Sequence, residues 1–360
     1  MKGLELAQIF YQDGVKPVLD RSFPGLPYSA ALIGSGSDVL GYDTPQSTDH
    51  AWGPRLMLFL SADDCKTRKS KINQVLRKEL PTDIRGFPTN YRTHDDGTAV
   101  MSSEINGQIN HRVMILAVQP YFRGILHFDP MGAIQPADWV SVPQNNLLML
   151  TAGRVFHDGL NQLELIREKL SYYPRDVWLY LLSAQWQRIS QEEHFMGRCG
   201  QVSDELGSKL IATRLVHDLM RLCFLIEQKH APYIKWFGTA FSDLDCASNL
   251  KSIFNAVLVA SSWEGRQKYL SDAYEFAAEM HNALYITNPL PTSVSPFHKR
   301  PFLVIHAEHF AEAIREEIKD EDVLALPKHL GGIDQFVNST DAMNYNKRIK
   351  IVFSEFKPDH

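Results

Sequence analysis

Residues 31–37 read Ala-Leu-Ile-Gly-Ser-Gly-Ser, and residues 49–56 read Asp-His-Ala-Trp-Gly-Pro-Arg-Leu. An apolar run thus ends in a Gly-Ser pair, thirteen residues separate that pair from Asp49, and a second apolar run follows. Short apolar runs bounded by glycine and polar residues are typical of buried strands. The layout therefore predicts two core strands joined by a polar segment in which functional side chains are expected.

The spacing of Asp49 and Ala51 bears directly on chemistry. Alternate residues of a strand point to the same face, so we expect both positions to lie on the second strand and to face one cleft. Two carboxylates so placed could bind Mg²⁺, which prefers oxygen ligands. The second position is alanine, and its methyl group supplies no ligand.

This block resembles the polymerase-β-type nucleotidyltransferases, and among them a subfamily with an Asp-His-Asp-Trp-Gly-Pro-Arg-like block. The resemblance implies a Gly-Ser turn that binds nucleotide phosphates, an acidic pair for Mg²⁺, and a third acidic residue near position 114. This chain has Ala51 and Met114 instead, so we expect a degenerate metal site in which Asp49 alone remains. The residues of this region that we assign to substrate binding are Gly34, Ser35, Ser37, Trp52 and Arg55.

The rest of the chain predicts an α+β protein, with a small mixed sheet and helices followed by an all-helical part. We expect a nucleotidyltransferase-like domain at residues 1–143 and a helical substrate-binding domain at 144–360. From Leu147 onward, apolar residues recur mainly at helical spacing. The predicted strands are Ser29–Ile33, Leu56–Leu60 and a hairpin within 104–118 that turns at Asn106-Gly107. The predicted helices are 4–18, 66–80, 177–195, 206–228, 250–260, 266–284 and 310–318.

Four polar residues of the helical part join the candidate site. Glu192 and Glu193 end one predicted helix and are, with Asp49, the candidate catalytic residues. Asp204 precedes the next helix, where a capping role competes with substrate binding. Lys235 stands among aromatic residues, where it could bind a phosphate or carboxylate or extend into solvent.

Residues Arg214, His217, Asp218 and Arg221 lie at helical spacing. Neighbours three and four residues apart on a helix form ion pairs, so we expect these side chains to pair within their own helix. His217 and Asp218 would suit a general base and the group that orients it. Adjacent residues on a helix face different directions, however, which favours the first interpretation.

Composition limits the partners. The net charge of −5 argues against a broad nucleic-acid surface, which needs an excess of basic residues. Cys65, Cys199, Cys223 and Cys246 lack the spacing of zinc ligands. The sequence shows neither an apolar signal segment near its start nor a run long enough to span a bilayer. We therefore expect a cytoplasmic protein that acts on a small molecule, without nucleic-acid or membrane partners.

Three functions remain open at this point. The first is metal-independent conversion of a small apolar metabolite without a cofactor, such as a cyclisation in specialised metabolism that the pocket accelerates by orienting the substrate. The second is transfer of a nucleotidyl group from a nucleoside triphosphate to a small acceptor, with Mg²⁺ and the triphosphate as cofactors. The third is a non-catalytic sensor that binds a nucleotide.

Overall fold

A computed structural model of the chain describes residues 1–49, 52–95 and 97–339. The chain forms two units. Unit 1 comprises residues 1–133 and 146–171, and unit 2 comprises residues 134–145 together with the described residues from Tyr172 onward. The chain passes between the units more than once, so a single boundary at residues 143–144 does not separate them. The architecture is α+β, with a mixed sheet in unit 1 and mainly helices in unit 2.

The helices and strands alternate in the first half of the chain and become mainly helical in the second. Up to residue 171 they are α1 (Gly3–Ile9), a π-helical turn (Phe10–Val15), α2 (Lys16–Ser22), β1 (Ser29–Leu32), a 3-10 helix (Pro45–Asp49), β2 (Arg55–Leu60), α3 (Ala62–Glu79), β3 (Asp83–Ile84), β4 (Phe87–Pro88), β5 (Tyr91–Thr93), β6 (Ala99–Met101), β7 (Arg112–Ala117), α4 (Val118–Leu126), α5 (Pro136–Ser141), α6 (Gln144–Thr151), β8 (Arg154–Asp158) and α7 (Leu163–Lys169). They continue with α8 (Arg175–Glu192), α9 (Phe195–Gln201), α10 (Glu205–Ile226), α11 (Ile234–Phe241), α12 (Ala247–Val259), α13 (Trp263–Asn282), β9 (Ser295–Pro296), β10 (Leu303–Val304), α14 (Ala307–Glu316), α15 (Glu321–Leu324) and α16 (Ile333–Phe336).

The main sheet of unit 1 has the strand order β7-β2-β1-β8. Strand β1 is antiparallel to both β2 and β8, whereas β2 and β7 run parallel with Met57 opposite Met114. Every residue of β1 and β2 is buried, as continuous apolar runs covered on both faces should be. The two predicted core strands are thereby confirmed. The predicted hairpin is wrong, because β7 pairs with β2 while β6 pairs with β5.

The core of unit 1 joins the N-terminal helices to one face of this sheet. Leu6 and Phe10 are fully buried in the same apolar cluster as Leu58 of β2 and Ile115 of β7. The predicted N-terminal helix is present as α1, the π-helical turn and α2. Pro17 is tolerated there because it lies in the first turn of α2, where a missing N–H costs little.

Unit 2 is built around the long helices α8 and α10. The indole ring of Trp186 on α8 stacks on Phe310 of α14, with 4.4 Å between ring centroids. Helix α9 approaches α13 closely at Gly200, where an added Cβ would lie 2.1 Å from Cγ of Trp263. The helices predicted for this part of the chain are confirmed, with ends that shift by a few residues. Among the described helices, none has the length and apolar character that crossing a bilayer requires.

Candidate functional site

The Gly-Ser turn follows the end of β1. Gly34 and Gly36 have φ values of +88° and +143°, and an added Cβ on Gly34 would lie 2.6 Å from the Tyr121 hydroxyl. The Gly34 N–H donates to the Met149 carbonyl at 2.8 Å. Within the described part of the chain, the N–H groups of residues 35–37 find no hydrogen-bond partner. Successive unbonded N–H groups in a turn are suited to an anion.

Arg55, at the start of β2, supports this turn through hydrogen bonds. Its Nε and Nη2 atoms donate to the two carboxylate oxygens of Asp38 at 3.1 and 2.6 Å. Its Nη2 atom also donates to the Ser35 carbonyl at 3.3 Å, and both charged side chains are buried. Arg55 therefore holds the turn against the sheet, whereas its direct contact with a substrate stays a prediction. Asp38 is therefore part of the buried structure of unit 1.

Trp52 lies in the core of unit 1, with only 4% of its surface exposed. Its Nε1 donates to Asp43 at 3.1 Å, and its ring packs edge-on against Phe87. Burial raises the pKa of Asp43, but hydrogen bonds from Gly3, Trp52 and Lys2 outweigh it and leave that pKa lowered. The ring is thus enclosed by protein, and its assignment to substrate binding stays a prediction.

The resemblance implies a two-magnesium site in this region, with Asp49 as one of its ligands. Asp49 is exposed at the end of the 3-10 helix, and β2 starts only at Arg55, after Gly53 and Pro54. Placing Asp49 on the strand was therefore wrong. Ala51 falls outside the described residues, and Met114 has a thioether where a carboxylate is needed. No group of three or more His, Cys, Asp or Glu side chains in the described ranges is arranged to hold a metal ion.

Unit 2 contains a cavity of about 720 Å³, a size suited to a small organic molecule. The apolar residues of its lining, called here the apolar side, include Pro232, Tyr233, Ile234, Phe237, Phe336 and Val337. The charged and titratable residues, called here the charged side, include Arg188, Arg214, His217, Asp218, Arg221 and Asp334. A ligand that fits both sides needs an apolar body and a polar group.

The charged side is formed by ion pairs between helices. Arg214 on α10 pairs with Glu192 on α8, and Arg188 on α8 donates through Nε to Asp218 on α10 at 2.9 Å. Pairing within α10, as expected from the spacing, is therefore wrong for Arg214 and Asp218. The facing helix supplies nearer partners, which the spacing of residues along α10 cannot reveal.

His217 and Asp218 approach each other despite being adjacent on α10. The His217 Nδ1 lies 3.8 Å from Asp218 Oδ1. Burial raises the pKa of Asp218, but His217 and Arg188 outweigh it, so that the pKa is lowered and the carboxylate is charged at neutral pH. The imidazole thus lines the cavity beside a fixed negative charge. The sequence analysis considered this pair as a general base and its orienting group and favoured ion pairing within the helix instead.

Neither candidate glutamate lines the cavity. Burial raises the pKa of Glu192, while Arg214 and Arg188 oppose that change. Glu193 accepts the N–H groups of Ile305 and Ala307 at 2.9 and 3.2 Å, at the start of α14, and burial raises its pKa to about 8. These contacts give Glu193 a structural position, and a catalytic role for either residue stays a prediction.

The two remaining substrate-binding candidates also lie outside the cavity lining. Asp204 accepts the Gly207 N–H at 2.8 Å, which confirms it as the N-cap of α10. Lys235 is exposed on α11, with its ammonium 5.1 Å from the centroid of the Trp236 ring. Its neighbours Tyr233 and Phe237 line the cavity instead, because they lie on another face of the same segment.

The comparisons with known proteins identify a domain rather than an activity. A family model described as "Domain of unknown function (DUF4037)" matches residues 139–237, which include the cavity residues of α8, α10 and α11. No curated protein matches the chain. The chain is similar to the crystal structure of a nucleotidyltransferase-like protein from Exiguobacterium sibiricum 255-15, at 9% identity and a TM-score of 0.30, over 80% of this chain and 83% of that one.

Proposed function

We propose that the protein binds a small molecule in the cavity of unit 2 and converts it by metal-independent acid–base chemistry. The observation that carries this proposal is the His217–Asp218 pair in the wall of a cavity with an aromatic side. Histidine is the side chain most often used in general acid–base catalysis, because its imidazole can both accept and return a proton. A ligand in contact with His217 would therefore meet an acid–base group held in place by protein.

Asp218 and Arg188 position the imidazole. The Asp218 carboxylate faces Nδ1 of His217, which leaves Nε2 as the atom that exchanges a proton with the ligand. When Nε2 takes a proton, the charge of Asp218 stabilises the imidazolium, and Arg188 keeps the carboxylate in place. The separation of 3.8 Å is longer than a hydrogen bond, and such contacts often tighten when a ligand binds.

The reaction class is an isomerisation or a cyclisation. A proton removed at one atom and returned at another leaves the elemental composition of the substrate unchanged. The aromatic side, with Tyr233 and Phe237, would hold the apolar body in one conformer, and such orientation lowers the barrier of a unimolecular step. The charged side adds a requirement that sequence reasoning did not foresee, since a wholly apolar metabolite would remove water from these charged groups without replacing its hydrogen bonds.

The test uses a metabolite extract from cells that express the protein, incubated with purified protein in the presence of EDTA. We expect mass spectrometry to show loss of one compound and gain of another with the same mass. His217→Gln should slow this conversion by about 10²- to 10⁴-fold, as loss of a general acid–base does. The matched control is His309→Gln, whose side chain is 59% exposed on α14 and should leave the rate unchanged. Full activity in H217Q, or complete inhibition by EDTA, would refute the proposal.

A second candidate function is nucleotide binding at the Gly-Ser turn of unit 1. The unbonded N–H groups of residues 35–37, with the hydroxyls of Ser35 and Ser37, support a phosphate there. Calorimetry with ATP tests the binding, and the double variant Ala51→Asp, Met114→Glu tests nucleotidyl transfer with Mg²⁺. Turnover in the double variant would favour a transferase ancestry of the site, and binding without turnover would favour a sensor. No binding by either protein would eliminate this candidate.

A further inference from the structure

One arginine of the cavity of unit 2 forms no ion pair with the residues that the structure describes. Of the three arginines in its lining, Arg188 pairs with Asp218 and Arg214 pairs with Glu192. Arg221 makes neither an ion pair nor a hydrogen bond with any described residue, and its Nε is buried without a partner. A buried donor left unpaired costs free energy, so a ligand that accepts from it gains affinity.

The guanidinium of Arg221 also packs on an aromatic ring. Its Cζ lies 5.5 Å from the centroid of the Phe237 ring, over the face of that ring. A planar guanidinium stacked on an aromatic ring presents its N–H groups edge-on, and this arrangement matches the paired oxygens of a carboxylate or phosphate. Phe237 lines the same cavity and would then contact the part of the ligand next to its anionic group.

The acidic residues of the cavity do not satisfy Arg221. The Asp218 carboxylate is engaged by Arg188, and the Asp334 carboxylate accepts the Gln144 N–H at 2.8 Å. Burial raises the pKa of Asp334 and Arg221 opposes that change, yet the two side chains form neither an ion pair nor a hydrogen bond. Positive charge therefore remains available at Arg221 inside the cavity.

We infer that the ligand of this cavity carries a carboxylate or phosphate group that binds in bidentate fashion to Arg221, with an aromatic or other flat apolar group against Phe237. This inference rests on the proposed function, because it names the chemical class of the molecule that His217 acts on. The inference also gives the orientation of that molecule, since an anionic group bound at Arg221 places the rest of the ligand within reach of the charged side of the cavity.

The test measures binding of four probes to the full chain by ligand-observed NMR and calorimetry. The anionic probes are benzoate and phenyl phosphate, and the neutral probes of similar shape are benzamide and benzyl alcohol. We expect the anions to bind and the neutral probes to bind at least about tenfold more weakly, since charge-assisted hydrogen bonds are about twice as strong as neutral ones. The stronger of the two anions indicates whether the natural ligand is a carboxylate or a phosphate.

Two variants of Arg221 locate the binding site. Arg221→Met should weaken anion binding by about 10- to 100-fold. Arg221→Lys keeps the charge but loses the planar guanidinium, so its affinity for the anions should lie between those of R221M and the unchanged protein. The matched control is Arg300→Met, which removes an exposed cation from the same unit and should change nothing. Thermal unfolding of each variant checks that unit 2 is folded. If R221M does not fold, the binding test uses R221K alone.

The inference fails if the anions do not bind, if benzamide binds as well as benzoate, or if R221M and R221K bind the anions normally. Its failure is distinguishable from failure of the proposed function. Loss of turnover in H217Q with normal anion binding in R221M would refute the inference alone. Full turnover in H217Q with lost anion binding in R221M would refute the proposed function alone.

Discussion

Replacing Arg55 with leucine tests whether this residue supports the Gly-Ser turn. In the folded protein its guanidinium makes two hydrogen bonds to Asp38 and one to the Ser35 carbonyl. The side chains of Arg55 and Asp38 are only 7% and 3% exposed, so water cannot replace the lost partner. Arg55→Leu would leave a buried carboxylate without its counter-ion at the end of β1.

The size of the effect follows from this burial. Removing one partner of a buried ion pair costs about 3–5 kcal/mol, whereas an exposed pair contributes about 0–1 kcal/mol. The buried value applies here, and 4 kcal/mol corresponds to about a thousandfold change in the folding equilibrium. The matched control is Arg68→Leu, which removes an exposed i,i+4 pair with Asp64 and should cost about 0.5 kcal/mol or less.

The assay is hydrogen exchange followed by mass spectrometry, resolved to the peptides that contain β1 and β2, so that stability is measured in unit 1 itself. Adding Asp38→Leu to Arg55→Leu should restore part of the lost stability, because no unpaired charge then remains buried. A cost below about 1 kcal/mol for R55L, or no recovery in the double variant, would show that the pair does not hold the turn.

Three further predictions concern unit 2. The pKa of Glu193 is about 8 in the folded chain and near 4.5 when unfolded, so the folded state retains the proton and the free energy of unfolding falls as pH rises from about 4.5 to about 8. Glu193→Gln should reduce the number of protons released on unfolding in this pH range by about one. Gly200→Ala should cost about 1–3 kcal/mol, since its Cβ would lie 2.1 Å from Trp263, despite the better helix propensity of alanine. Asp204→Ala should cost about 1 kcal/mol through loss of the N-cap and leave anion binding unchanged.

Each of these predictions has its own control and measurement. Urea unfolding of E193Q between pH 4 and pH 9 gives the proton count, and an unchanged slope would contradict the assigned position of Glu193. The control for G200A is Gly238→Ala on α11, where nothing lies within 4 Å of the added Cβ and stability should rise slightly. Asp204→Ser keeps a side-chain oxygen that can cap the helix, so it should be as stable as the unchanged protein. If D204A weakens anion binding, the assignment of Asp204 to substrate binding regains support.

The sequence predicted the core strands and the long helices because their signals are local. Strands β1 and β2 are continuous apolar runs, and α8, α10 and α13 carry apolar residues at helical spacing. The pairing of β7 was missed because Asn106-Gly107 suggested a hairpin, whereas β7 pairs in parallel with a strand far away in sequence. Asp49 was placed on β2 because the resemblance puts an acidic pair on that strand, whereas Gly53 and Pro54 delay the start of β2 to Arg55.

At the candidate site, too, some features follow from the sequence and others only from the tertiary structure. The sequence by itself determined that position 51 has a methyl group and position 114 a thioether, and also that His217 and Asp218 are neighbours on a helix. Only the tertiary structure decided that Arg188 and Arg214 are paired and that Arg221 forms no ion pair within residues 1–49, 52–95 and 97–339. The physical reason is that an ion pair depends on distances of a few ångströms between helices, and these distances are set by how the helices pack rather than by the order of residues along either one.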